Sequence, residues 1–128
     1  MQDPNERIRF RREGISVKKV EAIIRPDRLD SVVEGLSGIG YPGLTITEVK
    51  GHGKQGGVKH QWRGNEYIVR FMPKVKIEVV VLDEDLYKTI DIIVRNSRTG
   101  SIGDGKIFIT EVEEAIRVRT GDAGTKAI

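Results

Sequence analysis

The chain contains no cysteine, so disulfides and thiolate-held metals are excluded, which fits a reducing compartment. Aromatic residues make up only 5%, too few for the stacking platforms that grip single-stranded bases. The longest unbroken aliphatic run is Val79–Leu82, far short of the ~20 residues that cross a bilayer. No apolar core precedes a small-residue cleavage site near the N-terminus, so no signal peptide is expected. The excess of one charge over the other is small as well. A net +3 over 128 residues suits an anionic small molecule or nucleic acid and selects neither. With 38% apolar and 32% charged residues, the expectation is one domain with a small core that leans on oligomerisation.

Catalytic constellations are missing too. His52 and His60 lie eight residues apart, without the i, i+4 spacing or the carboxylate neighbours of a metal site. No Ser/His/Asp arrangement is legible. Asp83, Glu84 and Asp85 read as carboxylates favoured at a helix N-terminus rather than as acid/base groups. Glu113 and Glu114 read as a solvated turn.

What is present is a patterned chain interrupted once. Met1–Ser16 is charge-rich, with Ile8, Phe10 and Ile15 as its apolar anchors, and is expected to be a disordered arm. Val17–Ile24 reads as a strand. Asp27 is placed to cap a helix whose Leu29, Val32, Val33, Leu36 and Ile39 form one apolar stripe, ended by Gly38 and Gly40. Leu44–Lys50 alternates as a second strand. Val75, Ile77, Val79 and Val81 alternate on a third, and Asp83 is placed to cap a second helix with Leu86, Ile90, Ile93, Val94 and Ser97 on one face. A glycine-rich connection, Thr99–Lys106, leads to a fourth strand, Ile107–Val112. Ile46–Val49 and Ile109–Val112 both read ITEV, consistent with a duplicated β-α-β unit. The expected fold is α+β: a ferredoxin-like βαββαβ chain, a four-stranded antiparallel sheet with two helices on one face. The other face, to which Val20, Ala22 and Ile24 are assigned together with Lys76, Glu78, Val80 and Leu82, is part apolar and part charged. A second subunit is expected to cover it.

The interruption is Gly51–Pro73. Its first two-thirds shows neither helical nor strand period, and its charges are Lys54, Lys59, Arg63 and Arg70 against Glu66. A connection of ~20 residues without structure of its own is rare in a compact domain and is usually a lid or a binding loop. Three cationic segments then stand out. Gly51–Gly57 (GHGKQGG) and Gly100–Lys106 (GSIGDGK) each combine glycines, which admit a close backbone approach, with a lysine. Arg117 and Arg119 alternate with Ile116, Val118 and Thr120 and so share a face of an extended segment. Neither glycine loop matches GxxxxGK[ST], because Lys54 precedes Gln55 and Lys106 precedes Ile107. Together the three segments point to a polyphosphate ligand. Residues 63–71 echo an RNA-binding motif but are one residue too long, with Asn65-Glu66 where an aromatic and a small residue belong. An ATP-dependent phosphotransferase or ATPase stays open as an alternative, though no base is legible beside a γ-phosphate. An RNA-binding module of the same fold is the lesser alternative.

In this order, TITEVKGHGKQ at 45–55, RGNEYIVRFMPKVKIEVVV at 63–81, RTGSIGDGKIFI at 98–109 and EEAIRVRTG at 113–121 resemble the PII nitrogen-signalling family. The resemblance covers residues 17–128. It implies a homotrimer with ATP or ADP competing for clefts between subunits, and it marks 51–73 as the T-loop, 98–106 as the B-loop and 118–128 as a C-terminal segment. Gly51, Gly53, Lys54, Gly103, Asp104, Gly105 and Lys106 would line the nucleotide from one subunit. Thr45, Glu78, Arg117 and Arg119 would reach it from the next, and Ile23, His52, Gln55 and Val80 complete the implied nucleotide set. By the same resemblance, 2-oxoglutarate binds only with Mg-ATP. Gln55 would contribute its amide oxygen to Mg²⁺, the keto acid would meet Gln55, Gly56 and Gly57, and Lys74 would pair with its distal carboxylate. The T-loop would dock on an ammonium channel and on enzymes or regulators of nitrogen assimilation, with Arg63 as the partner-contacting residue and Tyr67 as a modifiable one. The implied protein is a cytoplasmic regulator and not an enzyme, recruited to the membrane only through the channel. Asn65 stands where some members carry a phosphorylated serine, and Lys54 replaces the commoner arginine, keeping charge but losing fork geometry.

Overall fold

Strand β1 (Val17–Ile24) pairs antiparallel on both sides, which makes it the axis of the molecule. The computed structural model describes residues 15–52, 59–62, 65–68 and 71–128, with side chains for 15–51 and 71–128. Along the chain follow α1 (Leu29–Gly38), β2 (Thr45–His52), β3 (Lys59–Trp62), β4 (Asn65–Ile68), β5 (Phe71–Leu82), α2 (Leu86–Ser97) and β6 (Gly105–Glu111). The main sheet has the order β2-β5-β1-β6, and β3 and β4 form a separate two-stranded hairpin. This is the expected βαββαβ arrangement with one hairpin inserted between β2 and β5.

Register decides which face of the sheet is the core. Val20 lies opposite Val79 and Ile109, and Ala22 lies opposite Ile77 and Ile107. Directly opposed residues of antiparallel strands share a face. Val20, Ala22 and Ile24 therefore join Val75, Ile77, Val79 and Val81 beneath Val32, Leu36 and Ile93 of the helices, in a single buried cluster. Their assignment to the opposite face is corrected: the run Ala22–Ile24 is apolar at consecutive positions, so its own period is hidden and only the partner strands reveal it. The face away from the helices carries Lys19, Glu21 and Ile23 with Lys76, Glu78 and Val80. Its charges pair across strands, Lys19–Glu78 at 2.5 Å and Lys76–Glu21 at 3.8 Å.

Neither helix is capped as the sequence implied. Each is entered through a 3-10 turn, Pro26–Arg28 before α1 and Asp83–Asp85 before α2, and no side chain caps either one. Pro26 has no N–H, which removes one of the donors a cap would serve. Asp83 is used elsewhere: its carboxylate receives Lys18 Nζ at 2.7 Å and its N–H donates to Ser16 O at 3.0 Å. The end of α1 is as expected. Gly40 (φ +97°) donates to Ser37 O and Tyr41 to Leu36 O, a Schellman closure that needs the left-handed glycine. Tyr41 then accepts from Leu82 N at 3.1 Å and donates to Asp85 at 2.6 Å, tying α1 to the start of α2. Burial and that carboxylate push the Tyr41 phenol pKa up. Gly35 lets the helices cross closely, since a Cβ there would sit 2.6 Å from Ile92 Cγ2.

Three boundaries move, the first being the fourth strand, which spans Gly105–Glu111 and so takes in Gly105 and Lys106 from the expected connection. Ile15 is buried and donates to Val112 O at 3.3 Å, so it packs on the folded unit; residues 1–14 lie outside the described residues. The stretch between Gly51 and Pro73 is not without structure. Strand β2 extends to His52, β5 begins at Phe71, and β3–β4 pairs Lys59 with Ile68, His60 with Tyr67 and Trp62 with Asn65. Short polar strands of this kind lack the apolar alternation that a periodicity reading relies on. Among the described residues, no helix is long and apolar enough to cross a membrane.

Candidate functional site

The glycine-rich connection between α2 and β6 closes around one carboxylate. Asp104 Oδ2 accepts the N–H groups of Thr99 and Gly100 at 2.8 and 2.9 Å, and Oδ1 accepts the Thr99 hydroxyl. Arg25, just past β1, donates from Nε to Asp104 at 3.1 Å and from its guanidinium to Ile102 O at 2.9 Å. The Thr99 hydroxyl first, then the two backbone N–H groups and Arg25, hold the Asp104 carboxyl well below its ordinary pKa of 3.8, against the opposing effect of its partial burial. Asp104 was expected to line a nucleotide. Its oxygens accept from the loop's own Thr99 and Gly100 and from Arg25, which makes it the organiser of the loop.

Gly105 is required by both conformation and space. Its φ is +110°, and a Cβ there would lie 1.8 Å from Ile23 O on the neighbouring strand. That close approach sets Lys106 opposite Ile23 at the start of β6. Lys74 is buried on β5 and donates to Gly103 O, joining the base of the long loop to the glycine-rich loop. Burial, aided by repulsion from Arg25, pulls its pKa down, and Asp104 offsets part of this. Gly51, beside it on β2, leaves room for the lysine stem: a Cβ would meet Lys74 Cγ at 3.0 Å.

Thr45, Glu78 and Val80 form a second group. Thr45 pairs with Glu78 in register, and all three line a cavity of about 780 Å³ walled by Lys19, Tyr41 and the C-terminal Thr125–Ile128 segment. Lys19 is the largest influence holding the Glu78 carboxyl below its usual pKa, and Glu78 in turn raises Lys19. The two groups stand at opposite ends of the sheet, because Thr45 and Gly51 are six residues apart on β2, about 20 Å at ~3.4 Å per residue.

Arg117 and Arg119 do not alternate on a strand. Only Ile116 bridges to Ala123, and residues 118–120 form a turn closed by Arg117 N to Asp122 O at 2.8 Å and Gly121 N to Arg117 O at 2.7 Å. Asp122 and Gly121 work against extended structure there, since both favour turns. Glu114 is not simply solvated either: it accepts Ala115 N and Gly124 N at 3.0 and 2.9 Å, pinning the C-terminal segment. Among the described residues, Lys106, Arg117 and Arg119 make no ion pair. Gly53, Lys54, Gln55, Gly56, Gly57 and Arg63 lie outside the described residues, and of His52 and Tyr67 only the backbone is described.

Sequence reasoning missed Arg25 and Lys19. Each sits on or next to an ordinary strand, and only the folded chain brings them to Asp104 and Glu78.

Residues 17–122 match the family model for nitrogen regulatory protein P-II. The chain belongs to the PII nitrogen regulatory family. It is 54% identical over 112 residues to the P-II protein of Bradyrhizobium diazoefficiens, spanning 88% of this chain and all of that one. It is 47% identical over 114 residues to P-II protein 2 of Methanothermobacter thermautotrophicus, spanning 89% of this chain and 99% of that one. The structure of Arabidopsis thaliana PII bound to citrate superposes with a TM-score of 0.73 at 40% identity, covering 89% of this chain and 94% of that one. PII proteins are regulators without enzymatic activity, so the phosphotransferase alternative falls away.

Two outcomes follow from the loop geometry of this PII chain. Gly105→Ala will destabilise by about 3 kcal/mol or more, because the clash is with main chain and cannot rotate away; chemical denaturation measures it. For Asp104→Asn, thermal melts should show a deficit against the parent at pH 7. A depressed carboxyl pKa contributes stability above its unfolded value, so that deficit should shrink as pH falls below the ordinary 3.8.

Proposed function

We propose that this PII chain senses energy and carbon state by binding ATP or ADP in clefts between three subunits, and 2-oxoglutarate together with Mg-ATP. The observation that carries the reading is the separation of its two site groups. Gly51 and Lys74 lie at one end of the sheet beside the loop that carries Gly103, whereas Thr45 stands six residues from Gly51 on β2, about 20 Å away, and Glu78 four residues from Lys74 on β5, about 14 Å away. In this reading a neighbouring protomer supplies the second set, and the partly apolar face away from the helices supports such a neighbour.

The residues fit a polyphosphate. Lys106, Arg117 and Arg119 carry charges that no described carboxylate offsets, and the left-handed glycines at 103 and 105 turn a backbone segment toward the same end of the sheet. In this reading Gly53, Lys54, Gln55 and His52 complete the nucleotide set, with Ile23 beside Lys106. Gln55 would give Mg²⁺ an amide oxygen, and the ion would supply a hard positive centre that favours oxygen ligands. Gly56 and Gly57 would offer backbone to the keto acid. Lys74 would release Gly103 O and pair with the distal carboxylate. The segment from Gly51 to Pro73 would then present Arg63 to an ammonium channel or to nitrogen-assimilation enzymes and regulators. Tyr67, opposite His60 in the hairpin, is the proposed modification site. The protein acts in the cytoplasm and reaches the membrane through its channel partner.

Each effector shifts the loop only by its differential affinity for two loop states, ~1–3 kcal/mol of coupling. Calorimetry should show 2-oxoglutarate binding in the presence of Mg-ATP and none with ADP; equal binding in both would refute the reading. Lys74→Met should weaken keto-acid binding by roughly 1.5–3 kcal/mol, as loss of a charged hydrogen bond does, measured in the same titration.

A further inference from the structure

The loop before β6, from Thr99 to Asp104, has no regular hydrogen-bond ladder, and the glycines at 100, 103 and 105 hold left-handed φ values of +90°, +103° and +110°. Glycine samples many conformations at little cost, so such a segment does not hold a single shape unaided. Asp104 gathers the loop's first two N–H groups, but it is itself part of the loop. Two anchors come from outside the loop: Lys74, which donates to Gly103 O, and Arg25, which grips the carboxylate itself. Arg25 Nε reaches Asp104 at 3.1 Å and its guanidinium reaches Ile102 O at 2.9 Å, so one planar fork fixes both a side chain and the main chain two residues earlier. Arg25 lies outside the buried apolar cluster, and among the described residues both of its side-chain hydrogen bonds go to this loop.

We infer that Arg25 is a positioning residue for phosphate recognition: it sets the glycine-rich loop in its receiving shape before a nucleotide arrives, without itself touching the phosphates. The inference rests on the nucleotide reading above. An ordered loop binds more tightly because less freedom is lost on binding. Lysine could not substitute fully, since an ammonium is a point donor and not a two-pronged one.

The test is calorimetry of ATP on the full chain, with ligand-observed NMR of adenosine as the phosphate-free control, on Arg25→Gln, Arg25→Lys and Lys106→Ala. The expected result is an ATP affinity about tenfold lower for Arg25→Gln, with a smaller loss for Arg25→Lys. Adenosine affinity should be unchanged in both. Equal loss of ATP and adenosine binding would mean a merely structural role and overturn the inference. Unchanged ATP affinity in both Arg25 variants, with clear weakening in Lys106→Ala, would overturn it while leaving the nucleotide reading in place. Unchanged ATP affinity in all three would remove the nucleotide reading and this inference together.

Discussion

The carboxylate of Asp104 is the point on which the glycine-rich loop depends. An anion with two backbone N–H groups, a hydroxyl and a guanidinium around it has nearly all its acceptor capacity filled. Hydrogen bonds to a charged acceptor are the strong ones. The loop around it is glycine-rich and has little preference of its own, so the shape comes from this centre and from what grips it. β1 ends where Arg25 must stand, and β5 carries Lys74 to Gly103 O. The sheet thus serves to bring two distant stretches of chain to a loop that cannot order itself.

The sheet rests in turn on its register. Val20 between Val79 and Ile109 settles which side is packed, and a slip of one residue would turn every buried aliphatic outward. The opposite face keeps its charges in cross-strand pairs among half-buried Ile23 and Val80. Such a surface is neither a dry core nor an ordinary wet one. It is suited to an environment in which a further layer of protein completes it.

Much of this was legible in the chain. The β1 span, the apolar stripe of α1, the ending at Gly40 and the alternation of Val75 to Val81 follow from period and from glycine's freedom, and the structure bears them out. The cationic glycine loops were visible as composition. What failed did so for identifiable reasons. The facing of Ala22–Ile24 depends on partner strands, which a local period cannot see. Asp27 and Asp83 look like caps, but the chain enters each helix through a tighter turn. Arg117 to Thr120 alternates in sequence, yet the turn preference of Gly121 and Asp122 prevails. Arg25 carried no local signal at all, because its role exists only through a partner 79 positions away.

Lys74 donates to a main-chain carbonyl, not to a side chain. A carbonyl belongs to every amino acid, so the acceptor cannot be lost by substitution at position 103; only a change of backbone path removes it. Gly103 is held to glycine by its positive φ, not by the lysine. This bond between two regions of the protein therefore leaves no matched pair of residues that would have to change together, and comparison of related sequences would pass over it.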